Sequence, residues 1–244
     1  MFEPVSSQTI QGVDYHENNH VQEMKQGTCV ESMIPFWYAG GDAYDALCKE
    51  HFSNVIRSVG KGDFGREEAE ENNWQKTVDG HMAQILLFDQ LSRNAFRGND
   101  EAFACDEKAT TLARKMSKGL ITSCRTEEDR IKQKTNGITI PALLEGEVYP
   151  PYLQFITLPL MHSESKDDHE LALKMVDFSL SVAPNTLVET FQKVKAMELE
   201  HKSVIDRFGR YPHRNKNLGR ESTPEELEWL ADKEKLPAWA LSQG

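Results

Sequence analysis

The chain has 244 residues, enough for one substantial core or two small ones that share an interface. Hydrophobic residues make up 39% and charged residues 27%, which excludes a wholly disordered chain, and the net charge of −11 argues against general affinity for nucleic acid, a polyanion. No apolar run approaches the roughly 18–20 residues of a membrane span.

The N-terminus, MFEPVSSQTIQG, lacks the basic start and apolar stretch of a secretory signal. A soluble, cytoplasmic protein without a membrane partner is therefore expected, with organelle import through a missing or removed N-terminal segment as the alternative. Cys29, Cys48, Cys105 and Cys124 are widely spaced and form no C-x-x-C pair. They read as reduced thiols rather than as a zinc ribbon or a disulfide framework.

Residues 1–30 are polar and aperiodic and read as a flexible arm; residues 31–244 read as a single domain. Within Asp42–Val59, the residues Tyr44, Leu47, His51, Val55 and Val59 recur near helical spacing and predict an amphipathic helix. Gly60-Lys61-Gly62-Asp63-Phe64-Gly65 follows as a literal G-x-G-x-x-G. That motif grips a dinucleotide only between a strand and a helix, and here a helix precedes it, so it reads as a flexible turn.

Residues 66–92 are rich in helix formers and carry Trp74 and the apolar Ile85–Phe88. A helix is expected from Asp100 to Lys118, burying Ala102, Phe103, Ala109, Leu112 and Met116. Residues 119–150 show little periodicity and read as a long loop, an insertion or a lid. Pro151–Met161 and Lys166–Ser181 predict two helices separated by His162, Ser163, Glu164 and Ser165. Thr186 with Glu189 offers a capping box for a helix ending near Phe208, with Gly209 as its stop. Thr223-Pro224-Glu225-Glu226 is a stronger start, with Thr as cap, Pro at the first helical position and Glu226 reaching back. No segment sustains two-residue alternation. The expected fold is all-α, built from antiparallel helical hairpins.

Three constellations could carry chemistry. In the first, Asp89 and Arg93 lie four apart on a helix with Arg97 a turn further, and Asn94 lies between them. A carboxylate placed directly after Ile85–Phe88 is expected to be partly buried and to need a partner. It either fixes a helix end through Arg93 or orients an arginine fork on a bound anion. In the second, His162 and Glu164 on an interhelical loop suit a base and its orienter, or two metal ligands, against a plain helix-capping role for Ser163 or Ser165.

The third runs from His201 to Arg220. His201 shares an apolar helix face with Met197, Val204, Ile205 and Phe208, and a satisfied core histidine is the competing reading. The segment carries Lys202, Arg207, Arg210, Arg214, Lys216 and Arg220 against Asp206 alone, and it includes His213 and Asn215. A basic cluster in an acidic chain calls for neutralisation, either by an anionic ligand or by the protein's own carboxylates. Gly209, Pro212 and Gly219 would hold this loop in a defined shape.

These segments together resemble the "domain of unknown function" family numbered 924. The resemblance rests on Phe36-Trp37-Tyr38, Asp89-Gln90-Leu91-Ser92-Arg93-Asn94 with Phe96-Arg97-Gly98, Leu158-Pro159-Leu160-Met161-His162-Ser163-Glu164, Arg207-Phe208-Gly209-Arg210-Tyr211-Pro212-His213-Arg214-Asn215 and Leu218-Gly219-Arg220. It covers roughly residues 35–231. It implies a tetratricopeptide-like right-handed array of helical hairpins, but no settled reaction. The stretch between Cys124 and Pro150 is longer than the family's usual link, and His169 stands where many relatives have Gln.

The leading expectation is an enzyme with a His/Arg/carboxylate pocket for a small carboxylate- or phosphate-bearing substrate. His162, Glu164, His201 and His213 are its acid–base candidates. Asp89, Arg93, Asn94, Arg97, Arg207, Arg210, Arg214, Asn215 and Arg220 are its binding candidates. No cofactor is indicated. A divalent metal on His162, Glu164 and His201 is the weaker version. The alternatives are a module holding an acidic peptide or carboxyl terminus in an Arg-lined groove, and a set of internal polar struts. Composition leaves the oligomeric state open.

Overall fold

In a computed structural model the described residues are 41–62, 74–123, 138–139 and 147–241. Cys29, Cys124, Phe36-Trp37-Tyr38 and most of the 119–150 loop lie outside them. The fold is all-α. Its helices are α1 (Asp42–Gly60), α2 (Val78–Ile85), α3 (Ser92–Ala95), α4 (Asp106–Ser123), α5 (Pro150–Met161), α6 (Lys166–Val182), α7 (Asn185–Phe208), α8 (Pro224–Ala231) and α9 (Ala238–Leu241). Ile138–Thr139 (β1) pairs antiparallel with Glu147–Val148 (β2), so two short strands interrupt the stretch expected to be loop.

The centre of the molecule is α5. Its sequence, PPYLQFITLPLM, is apolar on every side, and a helix of that kind is stable only when surrounded. It is flanked by α4, α6, α7 and α2. Leu153, Ile156, Met161, Met175, Val176, Leu187 and Phe191 join the main core. Pro159 removes one helical N–H, and its carbonyl accepts a hydrogen bond from Thr110 Oγ1 at 3.2 Å. The C-terminal end of α5 thereby delivers His162 to the junction of four helices.

A smaller core holds α1 against the α2–α3 segment through Cys48, Ile56, Val59, Phe88 and Ala95. The buried face of α1 is only in part the expected one: Val59 is buried and Tyr44 packs against this core as expected. Leu47, His51 and Val55 point outward, while Cys48, Ser53, Ile56 and Val59 pack inward, a rotation of about one residue set by the neighbour it meets. Between α2 and α3 the backbone widens into a π-helical turn over Leu86–Leu91, and the Ser92 N–H reaches Leu87 O. This extra residue in the turn lets Phe88 face the core while Asp89 and Gln90 both remain buried.

Gly80 in α2 leaves room for the Trp74 backbone, whose Cα and O lie 2.6 Å from where a Cβ would stand. Gly80→Ala is expected to cost about 1–3 kcal/mol through this overlap. A chemical denaturation midpoint equal to that of the parent would refute the close packing. The expected helix from Asp100 divides into a 3₁₀ turn (Asp100–Phe103) and α4. The Thr186 capping box does not form: α7 starts at Asn185 after Pro184, with no side-chain cap. At Thr223 the capping box is complete, and Gly209 closes α7 at φ 69°.

Candidate functional site

Three segments distant in sequence meet at the C-terminal end of α5: the π turn with α3, the start of the α5–α6 loop, and α7 with the 3₁₀ turn Pro212–Arg214 that follows it. His162 donates Nδ1–H to Asp89 Oδ1 at 2.8 Å. Asp89 is 1% exposed and also accepts from Gln90 Nε2 at 2.5 Å and from Arg93 Nη2 at 3.3 Å. Burial opposes its charge, but His162 and Arg93 outweigh this and hold the carboxyl well below the ordinary range. With Nδ1 carrying the proton, the His162 ring turns its Nε2 lone pair away from Asp89. The ring keeps 16% exposure.

Arg93 and Arg214 stand beside this pair, at 6% and 5% exposure. Both reach Asp106 at the start of α4: Arg93 Nη2 at 3.1 and 3.2 Å, and Arg214 Nη1 at 3.2 Å. The Arg214 guanidinium lies 4.6 Å from the Tyr211 ring centre and 4.9 Å from that of Phe103. Arg93 Nε and Nη1 and Arg214 Nε are buried without a hydrogen-bond acceptor among the described residues. Each such group costs on the order of 1–3 kcal/mol.

His201 and His213 complete the cluster. His201 donates Nδ1–H to Met197 O at 2.8 Å and stacks on Trp239 with ring centres 3.9 Å apart. It lies 6.2 Å from the His162 ring centre. His213 packs edge-on to Trp239 at 5.4 Å, and its Nδ1 is buried without a partner among the described residues. Burial and the positive neighbours drive His201 down to about 3 and His213 to about 2, so both imidazoles are neutral at physiological pH. Burial and Arg93 lower even the Arg214 guanidinium. Burial, the largest cause, penalises any unpaired charge here, and the nearby guanidinium groups add a repulsion that a dication would also meet. Among the described residues no three His, Cys, Asp or Glu side chains are disposed to hold a metal, so His162, Glu164 and His201 do not converge as ligands.

The structure brings Asp89, Arg93, His162, His201, His213 and Arg214 together. It places the other candidates elsewhere. Glu164 accepts both Nη groups of Arg220 at 2.7 and 2.9 Å and the Tyr211 N–H at 2.8 Å, tying two loops together. Arg210 grips Glu226 at 2.6 and 2.8 Å, Asn215 reaches Ser222 and Glu226, and Arg207 pairs with Glu225 on the surface. Arg97 forks onto Asp45 of α1 and bonds Asn94. Most of the basic segment is thus neutralised by the protein's own carboxylates. Lys202 likewise pairs with Asp206.

Tyr211, Trp239, Asp106, Phe103 and Gln90 belong to the site and were not among the candidates. A second buried pair also escaped the sequence reading: His169 Nδ1 to Glu198 Oε1 at 2.8 Å, next to the Tyr211 hydroxyl. Glu198 precedes His201 by three residues, a spacing that could have drawn notice.

Apart from His201, the candidate residues that meet here come from the motifs that carried the resemblance. The family described as "Bacterial protein of unknown function (DUF924)" matches the chain over residues 23–234. The chain belongs to this family. As a DUF924 protein it is similar in fold to a solved protein of unknown function from Agrobacterium tumefaciens. That similarity has 22% sequence identity and a TM-score of 0.55, and it covers 88% of this chain and 96% of the other. At that identity the likeness concerns the fold alone. No curated protein matches the DUF924 chain.

Proposed function

We propose that this DUF924 protein is an enzyme that holds a small carboxylate- or phosphate-bearing substrate on Arg93 and Arg214 and performs acid–base chemistry on it with the Asp89–His162 pair. One observation carries the reading: two buried guanidinium groups keep N–H donors without acceptors among the described residues, beside an imidazole whose free nitrogen is oriented by a carboxylate. A bound oxyanion would satisfy those donors, and His162 Nε2 would stand ready to take a proton from it or from a water. The scaffold in this reading is a tetratricopeptide-like array of helical hairpins in a soluble, cytoplasmic protein. In support, no helix among the described residues is long and apolar enough to cross a membrane. The acidic-peptide reading gains less support, because Arg97, Arg207, Arg210 and Arg220 are occupied by carboxylates.

The test is calorimetric titration of the whole chain with acetate, sulfate and phosphate. Arg214→Gln is expected to weaken binding by about ten- to a hundredfold, the value of one or two charge-assisted hydrogen bonds, in a variant whose melting curve shows it folded at the titration temperature despite the lost Asp106 contact. Unchanged affinity in the variant would refute the assignment. A large melting loss with no anion binding by the parent would make the cluster a set of struts.

A further inference from the structure

The charges of the site close on themselves. Arg93 and Arg214 are balanced by Asp89 and Asp106, and the adjacent Glu164–Arg220 pair adds no net charge. A further anion would leave a buried net negative charge, which is costly unless a proton accompanies it.

We propose that the site binds a small singly charged oxyanion together with one proton, and that His162 Nε2 holds this proton against the anion. The proposal rests on the anion-binding reading above and names the form in which the ligand is taken. The groups facing His162 are Asp89 from the π turn, Arg93 from α3, Asp106 behind Arg93 on α4, His201 from α7, and His213 and Arg214 from the 3₁₀ turn. Of the three imidazoles only His162 has a carboxylate on its other nitrogen, so only there does an imidazolium gain a counter-ion. His201 bonds a carbonyl through that nitrogen, and on His213 the nitrogen has no partner among the described residues. Among the protein's own groups burial outweighs Asp89 and keeps the His162 pKa below its ordinary value, so at neutral pH the Nε2 lone pair is open. An anion at the two guanidinium groups supplies the missing negative charge on the other side of the ring. The step makes one N–H bond. Its proton comes from solvent, or from the ligand's own O–H when the ligand arrives as the acid. Nothing is oxidised or reduced.

The experiment is titration calorimetry of the full chain with acetate, a planar carboxylate, and methanesulfonate, a tetrahedral oxyanion. Neither probe titrates between pH 6 and 9. Runs in phosphate-free buffers of different ionisation heat count the protons. The expected result is uptake close to one proton per bound anion at pH 7–8. Affinity is then expected to fall about tenfold per pH unit toward pH 9, as linkage to a single proton requires. His162→Gln keeps a donor that cannot titrate, and it should abolish both the uptake and the pH slope. The probe that binds more tightly shows whether the site suits carboxylate or phosphate geometry. Binding that Arg214→Gln weakens, with no proton uptake and a flat pH profile, overturns this inference and leaves the anion reading standing. Uptake that survives in His162→Gln also overturns it. No binding of either probe by the parent chain overturns both.

Discussion

Between pH 6 and pH 4.5 the protein is expected to lose stability at about 2.7 kcal/mol per pH unit. The slope is that of two protons at about 1.36 kcal/mol each. In the unfolded chain His201 and His213 take up protons near the ordinary 6.5, whereas in the fold they do so only at about 3 and about 2. Over that window the unfolded state binds protons that the native state refuses, so acid favours unfolding. His81 and His162, also lowered by burial, act in the same direction. Glu198, raised by burial, opposes them by up to one proton. The lowered carboxyls join them at the acid end of the window, where an unfolded glutamate near 4.5 takes up protons that Glu226 refuses in the fold, and Asp89 follows at lower pH. Urea unfolding curves at pH 7.5, 6, 5 and 4.5 measure the slope directly. Stability that stays flat from pH 6 to 4.5 would mean that the imidazoles are not buried as neutral groups. His213→Gln should remove close to half of the slope.

Replacing Tyr211 with Ala is expected to cost about 3–5 kcal/mol, the range for deleting a large buried aromatic ring. Tyr211 is fully buried, and four kinds of contact converge on it. Its hydroxyl donates to Met161 O at 2.5 Å and its N–H to Glu164. One side of the ring carries the Arg214 guanidinium, and its edges meet His201, His213 and Trp239 at 5.5–6.0 Å. The truncation therefore opens a cavity and strips Arg214 of its aromatic cover. Tyr211→Phe keeps the ring and loses only the hydroxyl bond, so about 1–2 kcal/mol is expected. The two variants are separated by denaturation midpoints at pH 7.5. A loss in Tyr211→Ala no greater than that in Tyr211→Phe would show that the ring contributes nothing beyond its hydroxyl.

The motifs were legible in the sequence, whereas their division of labour was not. Asp89, Arg93, His162, His201, His213 and Arg214 were all named from residue type and spacing, and they meet. Arg207, Arg210 and Arg220 had the same chemistry in the same segment, yet each is held by a glutamate away from the cluster. The partners Glu225 and Glu226 lie some 16–18 residues away, and Glu164 lies 56 away. Charge counting along the chain cannot tell which carboxylate an arginine will meet in the fold. Asp106 shows the same limit from the other side. It appears as an ordinary acidic residue in the first turn of a helix, and only folding sets it between two guanidinium groups.

Local chemistry in the sequence by itself determined the helical class, the stop at Gly209, the capping box at Thr223 and the polar motifs. Each of these depends on residues within about one helical turn of one another. Tertiary structure alone decided three things. It decided the rotation of α1 toward Cys48 and Ile56, which depends on what packs there. It decided the π turn that buries Asp89 beside Gln90, which satisfies a neighbour rather than a propensity. It also decided that the basic segment reduces, at the site, to Arg214 with Arg93. That outcome follows from long-range pairing: Arg207, Arg210 and Arg220 are held by glutamates away from the cluster, while Arg93 and Arg214 share Asp106 in the core with N–H donors left over.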